Sequence, residues 1–466
     1  MTILGGVFRR VIPGVRNAAG EDLRREVLRL AVPAILELMT HTSIWMVDTA
    51  VVGRLGADAL SAVGLGGQVF ATALWVFAAL GKGAVPLIGR PFGAGDAHET
   101  SVRSAEVVST AAAASLLLFA VVRSLIRPLS GMVAAGEPAR SLFRDYLHVM
   151  SFGSLPVLVA VAGGAALRST GDSRTPMFIA LISNVFNAVA DVVLVFGLFG
   201  FPRLEVRGAA IASVASMYIA SVLTAVALAR GADGARLRLS SLFRWRGDTL
   251  RALLVLSAPA ALETLLMDGA RSLQMLIMTA LGSAQFAAHQ VALACESLSF
   301  MPGYGFAVAS GIIAAQSLGG RRPSRARAGT IECLVQGCLA MGAAGLVFLV
   351  TPRPLVSIFT SESSVVRAAS AALRIAGPVQ PLIAATDVLN GALTGAGDTR
   401  TPMFVTALGA WLLRVPLTYV VVRVLGWPLV AVWVVNGADW AVRAYLTFAV
   451  FRSGRWADSP IPADPR

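Results

Sequence analysis

From about Leu28 to Val450 the chain alternates long apolar runs with short connectors rich in Arg, Gly and Pro. Each apolar run is near the roughly 20 residues that a helix needs to cross a bilayer. About twelve can be counted, beginning near residues 30, 64, 104, 141, 175, 207, 251, 287, 329, 366, 401 and 428. The pattern predicts an all-α polytopic membrane protein, because a helix satisfies its own backbone polar groups where no water can do so.

The connectors reveal a second regularity. "ALRSTGDSRTPMF" starts at Ala166 and "ALTGAGDTRTPMF" at Ala392, with nine of thirteen letters shared at an offset of 226. The same offset aligns Pro33–Glu37 (PAILE) with Pro259–Glu263 (PAALE), Leu55-Gly56 with Leu281-Gly282, and Gly93 with Gly319. The chain therefore reads as a tandem duplication of a six-helix unit. Six is even, so both copies enter the membrane in the same orientation. Such parallel repeats enclose substrate sites between their halves, here a central cavity. The expected organisation is a cytoplasmic arm (1–27), an N-lobe of helices 1–6 (28–230), a cytoplasmic linker (231–250), a C-lobe of helices 7–12 (251–452) and a cytoplasmic tail (453–466).

Composition agrees with embedding in a lipid bilayer. Of 466 residues, 56% are hydrophobic and 14% charged, against about 25% charged in a soluble domain. Mean hydropathy is +0.73. The net charge of +13 is carried almost wholly by Arg, Lys82 being the one Lys. These Arg residues gather in connectors such as "RWR" and "RRPSRAR", as expected for cytoplasmic loops of a plasma-membrane protein with both termini inside. No continuous basic face exists to follow a phosphate backbone, so nucleic acid is not an expected partner. The first 26 residues are charged and broken by Pro and Gly, unlike a signal peptide. Cys295, Cys333 and Cys338 form no CxxC pair and read as small buried apolar residues. No GxxxxGK[ST], GxSxG or His/Cys metal spacing occurs, so neither an enzyme nor a bound cofactor is expected.

The stretches "MVDTAVVGRLGADALSAVGL", "GRPFGAGD", "AAHQVALACESLSFMPGYGF" and the two Gly-Asp-Ser/Thr-Arg-Thr-Pro-Met phrases resemble the multidrug and toxic compound extrusion (MATE) family, in its DinF-like branch. The resemblance runs from about Leu28 to Arg455. It implies a twelve-helix antiporter that exports organic compounds, often lipophilic cations, on an inward H⁺ or Na⁺ gradient. Small organic substrates and the bilayer are then the partners, and a monomer is expected.

Charged groups at bilayer depth are costly and usually functional. Asp48 lies in the first span; Asn187 and Asp191, four residues apart, share one face of the fifth. Two nearby carboxylates resist ionising together, as a proton carrier requires, and the same oxygens suit Na⁺. The resemblance associates the positions of Asp48, Asn187 and Asp191 with cation coupling, and a hydroxyl on helix 6, here Ser213, with the same site. At offset 226 Asp48 becomes Gln274, Asn187 becomes Leu413 and Asp191 becomes Leu417, so the cluster occurs in one copy only. A structural hydrogen-bonded network is the alternative.

Glu37 and Glu263 are retained in both copies, and either steady a kink or line the cavity with Gln274, Glu296 and Asp387. Asp387 stands about one turn from the acid of the family's sodium-type branch, which favours H⁺ over Na⁺. Lys82 either snorkels to headgroups or pairs with a cavity acid. His41 either packs or modulates coupling. Arg414 needs an acid or water, while Asp439 and Arg443, four apart, suit a salt bridge. Pro33, Pro156, Pro259, Pro302, Pro378 and Pro416 mark expected kinks. Two competing functions remain: a flippase for lipid-linked glycans of the same superfamily, and a membrane sensor or scaffold that transports nothing.

Overall fold

A computed structural model of the chain describes residues 21–132, 136–231, 247–297 and 299–459. The described residues contain helices and no strand. The first copy comprises α1 (Glu21–Gly53), α2 (Ala57–Gly93), α3 (Ala97–Met132), α4 (Glu137–Ser169), α5 (Arg174–Phe196) and α6 (Glu205–Arg230). The second comprises α7 (Gly247–Met278), α8 (Ser283–Ser297), α9 (Phe300–Gly319), α10 (Pro323–Val350), a short α11 (Pro352–Ser357), α12 (Ser363–Gly395), α13 (Arg400–Val424) and α14 (Leu429–Ser453). Among the described residues, nine helices are long and apolar enough to cross a membrane, ten when α8 and α9, bent 46° apart, count as one span. With 33 and 25 residues, α12 and α14 complete six spans in each copy; both carry interior charges, Asp387 in one and Asp439 and Arg443 in the other.

Two boundaries differ from the hydropathy pattern. Helix α1 starts at Glu21, because the charged segment Glu21–Val27 continues the helix that the apolar run begins. The eighth span is built from two helices, and Pro302 lies in the first turn of α9, where its missing N–H disrupts no bond. Most of the expected arm (1–20), linker (232–246) and tail (460–466) lies outside the described residues.

By internal packing the described residues form two units. One is Leu36–Ser257; the other gathers the described residues before Leu36 and those from Ala258 onward. The divisions fall within three residues of Pro33 and Pro259, where proline removes one backbone hydrogen bond from a long helix. Each unit is organised around the same repeat position. In the first, α4 packs against α2, α3 and α6; in the second, α12 packs against α8, α9, α10 and α14.

Those two central helices end in the repeated phrase, which acts as a stop followed by a start. Gly171 and Gly397 take φ of 91° and 95°, a left-handed conformation that glycine adopts without strain. Asp172 N–H donates to Leu167 O at 3.1 Å and Gly171 N–H to Arg168 O at 2.9 Å. Asp398 to Leu393 and Gly397 to Thr394 repeat this at 2.9 and 3.0 Å, the paired closure of a Schellman motif. The next helix then begins at Arg174 or Arg400, with the carboxylate of Asp172 or Asp398 accepting from the Thr175 or Thr401 N–H at 2.9 and 3.0 Å. The aspartate carboxylates, rather than the side chains of Ser173 and Thr399 at the N-cap positions, therefore satisfy these first N–H groups. Replacing Asp172 or Asp398 by Ala is expected to lower stability by about 1 kcal/mol each. The two losses should add in a double variant, as read by thermal melting in detergent, because the sites share no partner.

Candidate functional site

In the Leu36–Ser257 unit, α1, α5 and α6 bring Asp48, Asn187, Asp191 and Ser213 together. The face of α5 carrying Asn187 and Asp191 is buried, Asp191 completely (0% exposed), whereas Asp48 and Ser213 are half-buried. In the amide orientation that satisfies both neighbours, Asn187 Nδ2 donates to Asp48 Oδ1 at 3.1 Å and its Oδ1 accepts from the Ser213 backbone N–H at 3.2 Å. Ser213 thus contributes its backbone to the cluster.

The carboxyl groups of Asp48 and Asp191 lie within hydrogen-bonding reach of each other. Among the described residues, neither Asp191 oxygen has a protein donor. Two ionised carboxylates are acceptors only, so the contact closes as a hydrogen bond when one of them carries a proton. A cation bridging the oxygens would satisfy the same need. Tyr146 of α4, also buried, is within electrostatic range of both acids and packs against Gly66, where a Cβ would come to 2.7 Å from its ring. Sequence reading missed this tyrosine, because Tyr in an apolar span carries no charge to draw attention to it.

The other acids do not join this cluster. Glu37 accepts from Arg168 Nη1 through both oxygens at 3.0 Å, with His41 nearby. Its repeat counterpart Glu263 accepts instead from Thr406 Oγ1 at 3.2 Å, since Thr394 stands where the first copy has Arg168. In the second unit Glu296 of α8 accepts from Gln380 of α12 at 3.2 Å, and Ser299 Oγ donates to Gln380 at 2.9 Å. Asp387 is half-buried on α12.

Gln274, the counterpart of Asp48, is not an isolated relic. Its Nε2 donates to Thr418 at 3.1 Å and to Asn436 at 2.8 Å. One turn away on α13 and α14, Asp439 Oδ1 accepts from Arg443 Nε at 2.7 Å, the bridge suggested by their spacing. Arg414 Nη2 lies 2.6 Å from Asp439 Oδ2, which identifies the acid that Arg414 requires. The second copy therefore has charges of its own at this level, with Asp439 at the position that Ser213 holds in the first. Asn187 and Asp191 are paired with leucines by the same offset, so Arg414 and Arg443 do not show at those two positions.

Comparisons with known proteins show the family and the fold. The family model described as MatE matches residues 33–193 and 259–420, two stretches starting at the 226-residue offset of the repeat. The chain is 30% identical over 441 residues, 93% of each chain, to a protein of Thermotoga maritima named "Probable multidrug resistance protein NorM". It is 26% identical over 352 residues to a protein of Shewanella oneidensis named "FAD transporter", covering 73% of this chain and 75% of the relative. A solved structure described as the outward-facing conformation of a multidrug resistance MATE family transporter of the MOP superfamily has a TM-score of 0.86 at 21% identity, covering 96% of this chain and 98% of the other.

Proposed function

The chain belongs to the MatE family, and on that premise we propose that this multi-pass multidrug efflux transporter works as a secondary antiporter, exporting organic compounds against inward flow of H⁺, or Na⁺, through Asp48 and Asp191. The observation that carries the reading is a fully buried Asp191 with both oxygens lacking a donor among the described residues and a second carboxylate beside it. A cluster serving only the fold would be expected to satisfy its acceptors within the protein.

Coupling then follows from differential binding. An ion that neutralises the Asp48–Asp191 pair favours whichever conformation buries that pair, and can shift the equilibrium only by its difference in affinity between conformations. Asn187 holds Asp48 in place for the exchange, and Tyr146 of α4 lies within electrostatic range of both acids. Cargo released outward on protonation, and a proton released inward on return, complete alternating access. H⁺ is favoured because two carboxylates and one amide supply few ligands for a metal cation, which prefers more oxygens. The Arg-rich connectors support a topology with both termini on the cytoplasmic side, to be read with a C-terminal fluorescent-protein fusion.

The test is substrate-driven alkalinisation or acidification of proteoliposomes holding a pH-sensitive dye. Adding an organic cation to the lumen of wild-type vesicles should drive counter-movement of protons without sodium present. Substrate movement at full rate with no counter-movement of H⁺ or Na⁺ would overturn the antiport reading.

A further inference from the structure

The second unit contains a buried charge imbalance that efflux coupling does not use. Arg414, Asp439 and Arg443 sit midway along α13 and α14, with Asp439 0% and Arg443 2% exposed. Asp439 meets both guanidiniums, Arg443 at 2.7 Å and Arg414 at 2.6 Å. One carboxylate thus faces two groups that cannot shed their charge in a protein. Arg443 Nη1 is left with the sulfur of Met267 at 3.4 Å, a weak acceptor. Arg443 Nη2 and Arg414 Nε have no hydrogen-bond partner among the described residues.

Several features show that this place is built. Both guanidiniums lie near the ring of Trp440, at 5.7 Å for Arg414 and 5.2 Å for Arg443, which positions the pair along one surface. Helix α13 passes through π-helical turns at Leu408–Arg414 and Val420–Val424, a local widening common at functional sites. Gly409, in the first of these, comes so close that a Cβ would collide with the Asp439 carboxylate and the Arg443 guanidinium. The repeat scaffold does not demand these groups. At the same positions the first copy has Ala188, Ser213, Met217 and Ser183 for Arg414, Asp439, Arg443 and Gly409.

We propose that Arg414 and Arg443 form a buried anion-binding centre, taking a carboxylate-sized anion on the guanidinium N–H groups that Asp439 leaves without partners. Charge-assisted hydrogen bonds to guanidinium are among the stronger ones a protein makes, and the planar fork suits a carboxylate. Asp439 fixes the two forks and limits the net charge in contact to one. Glu296 and Arg271 act on Arg414 from further away, and Glu296, when ionised, opposes an anion there. The anion is either a free inorganic ion or the carboxylate of an organic cargo. The inference stands apart from the coupling reading, since its test measures binding without transport.

The experiment is thermal melting of the purified full-length chain during titration with sodium chloride and, separately, sodium benzoate. General salt effects act on every variant, so differences between variants isolate the site; an anion that binds the folded state raises its Tm in a saturable way. Arg443→Gln keeps the neutral Arg414–Asp439 pair and should fold, yet weaken the response to chloride, benzoate or both by about tenfold or more. Asp439→Asn leaves two buried cations, and should melt low without added anion and recover disproportionately as anion is added. A chloride response identifies a free inorganic ion, and a response to benzoate alone identifies the carboxylate of a cargo. Titration curves of the same shape for wild type, Arg443→Gln and Asp439→Asn would overturn the proposal.

Discussion

Asp191→Asn should sharply reduce cation-driven export while leaving the protein at least as stable as the wild type. The carboxylate is fully buried and its two oxygens lack donors among the described residues, so ionised it carries a desolvation penalty of several kcal/mol. An amide is neutral, nearly the same size, and can donate to Asp48 beside it. The structural expectation is an unchanged or higher Tm. The functional expectation is opposite. With no second carboxylate, taking up a proton no longer relieves a repelling pair, and the ion loses its differential hold on the two conformations. A coupling of ordinary size corresponds to about 5- to 150-fold, which sets the expected fall in substrate-driven ion flux. The measurement pairs melting with proteoliposome flux on the same preparation. A variant that melts low and still transports would show that Asp191 serves the fold.

Gly395→Val and Gly391→Val should each disrupt the second unit, with losses of about 1–3 kcal/mol or more. Helices α9 and α12 cross on backbone atoms. A Cβ at Gly391 would meet the carbonyl of Ala307, and one at Gly395 that of Gly311, whose own Cβ would lie 2.9 Å from Gly391 O. A flexible side chain could move aside, but these obstacles are backbone held by helical hydrogen bonds. In a bilayer, where lipid is as apolar as the side chains, such close small-residue contact is a principal source of helix association. Gly64 provides the comparison. It lies within α2, nothing stands within 4 Å of its added Cβ, and Gly64→Ala should be neutral or stabilising by up to about 1 kcal/mol. Expression yield, monodispersity and melting would distinguish the two classes. Equal melting for Gly395→Val and Gly64→Ala would show that the α9–α12 crossing is looser than described.

Much of the architecture was legible because its physical causes are local. Spans announce themselves by the length of apolar sequence needed where water is absent. The duplication was visible in the Gly-Asp phrase, since a Schellman stop and a carboxylate cap impose residue types within a few positions. Within the phrase, residue type alone does not say which polar side chain caps the next helix; the structure uses Asp172 and Asp398. Asp48, Asn187 and Asp191 stood out because polar groups are rare in apolar helices, and the Asp439–Arg443 bridge because four residues make one helical turn.

What the sequence by itself determined, then, was the membrane class, the six-plus-six repeat and the polar positions at bilayer depth. Only the tertiary structure decided which of those positions meet. Arg168 reaches Glu37 across 131 residues, Gln274 reaches Asn436 across 162, and Arg414 finds Asp439 on a neighbouring helix. None of these pairings follows from spacing along the chain, because each depends on the rotation and crossing of separate helices. The same crossing places Tyr146 beside the two acids of the first unit and leaves two guanidiniums around a single carboxylate in the second. Local chemistry writes the inventory of charges; the packing of helices sets which of them are neutralised and which remain to bind something else.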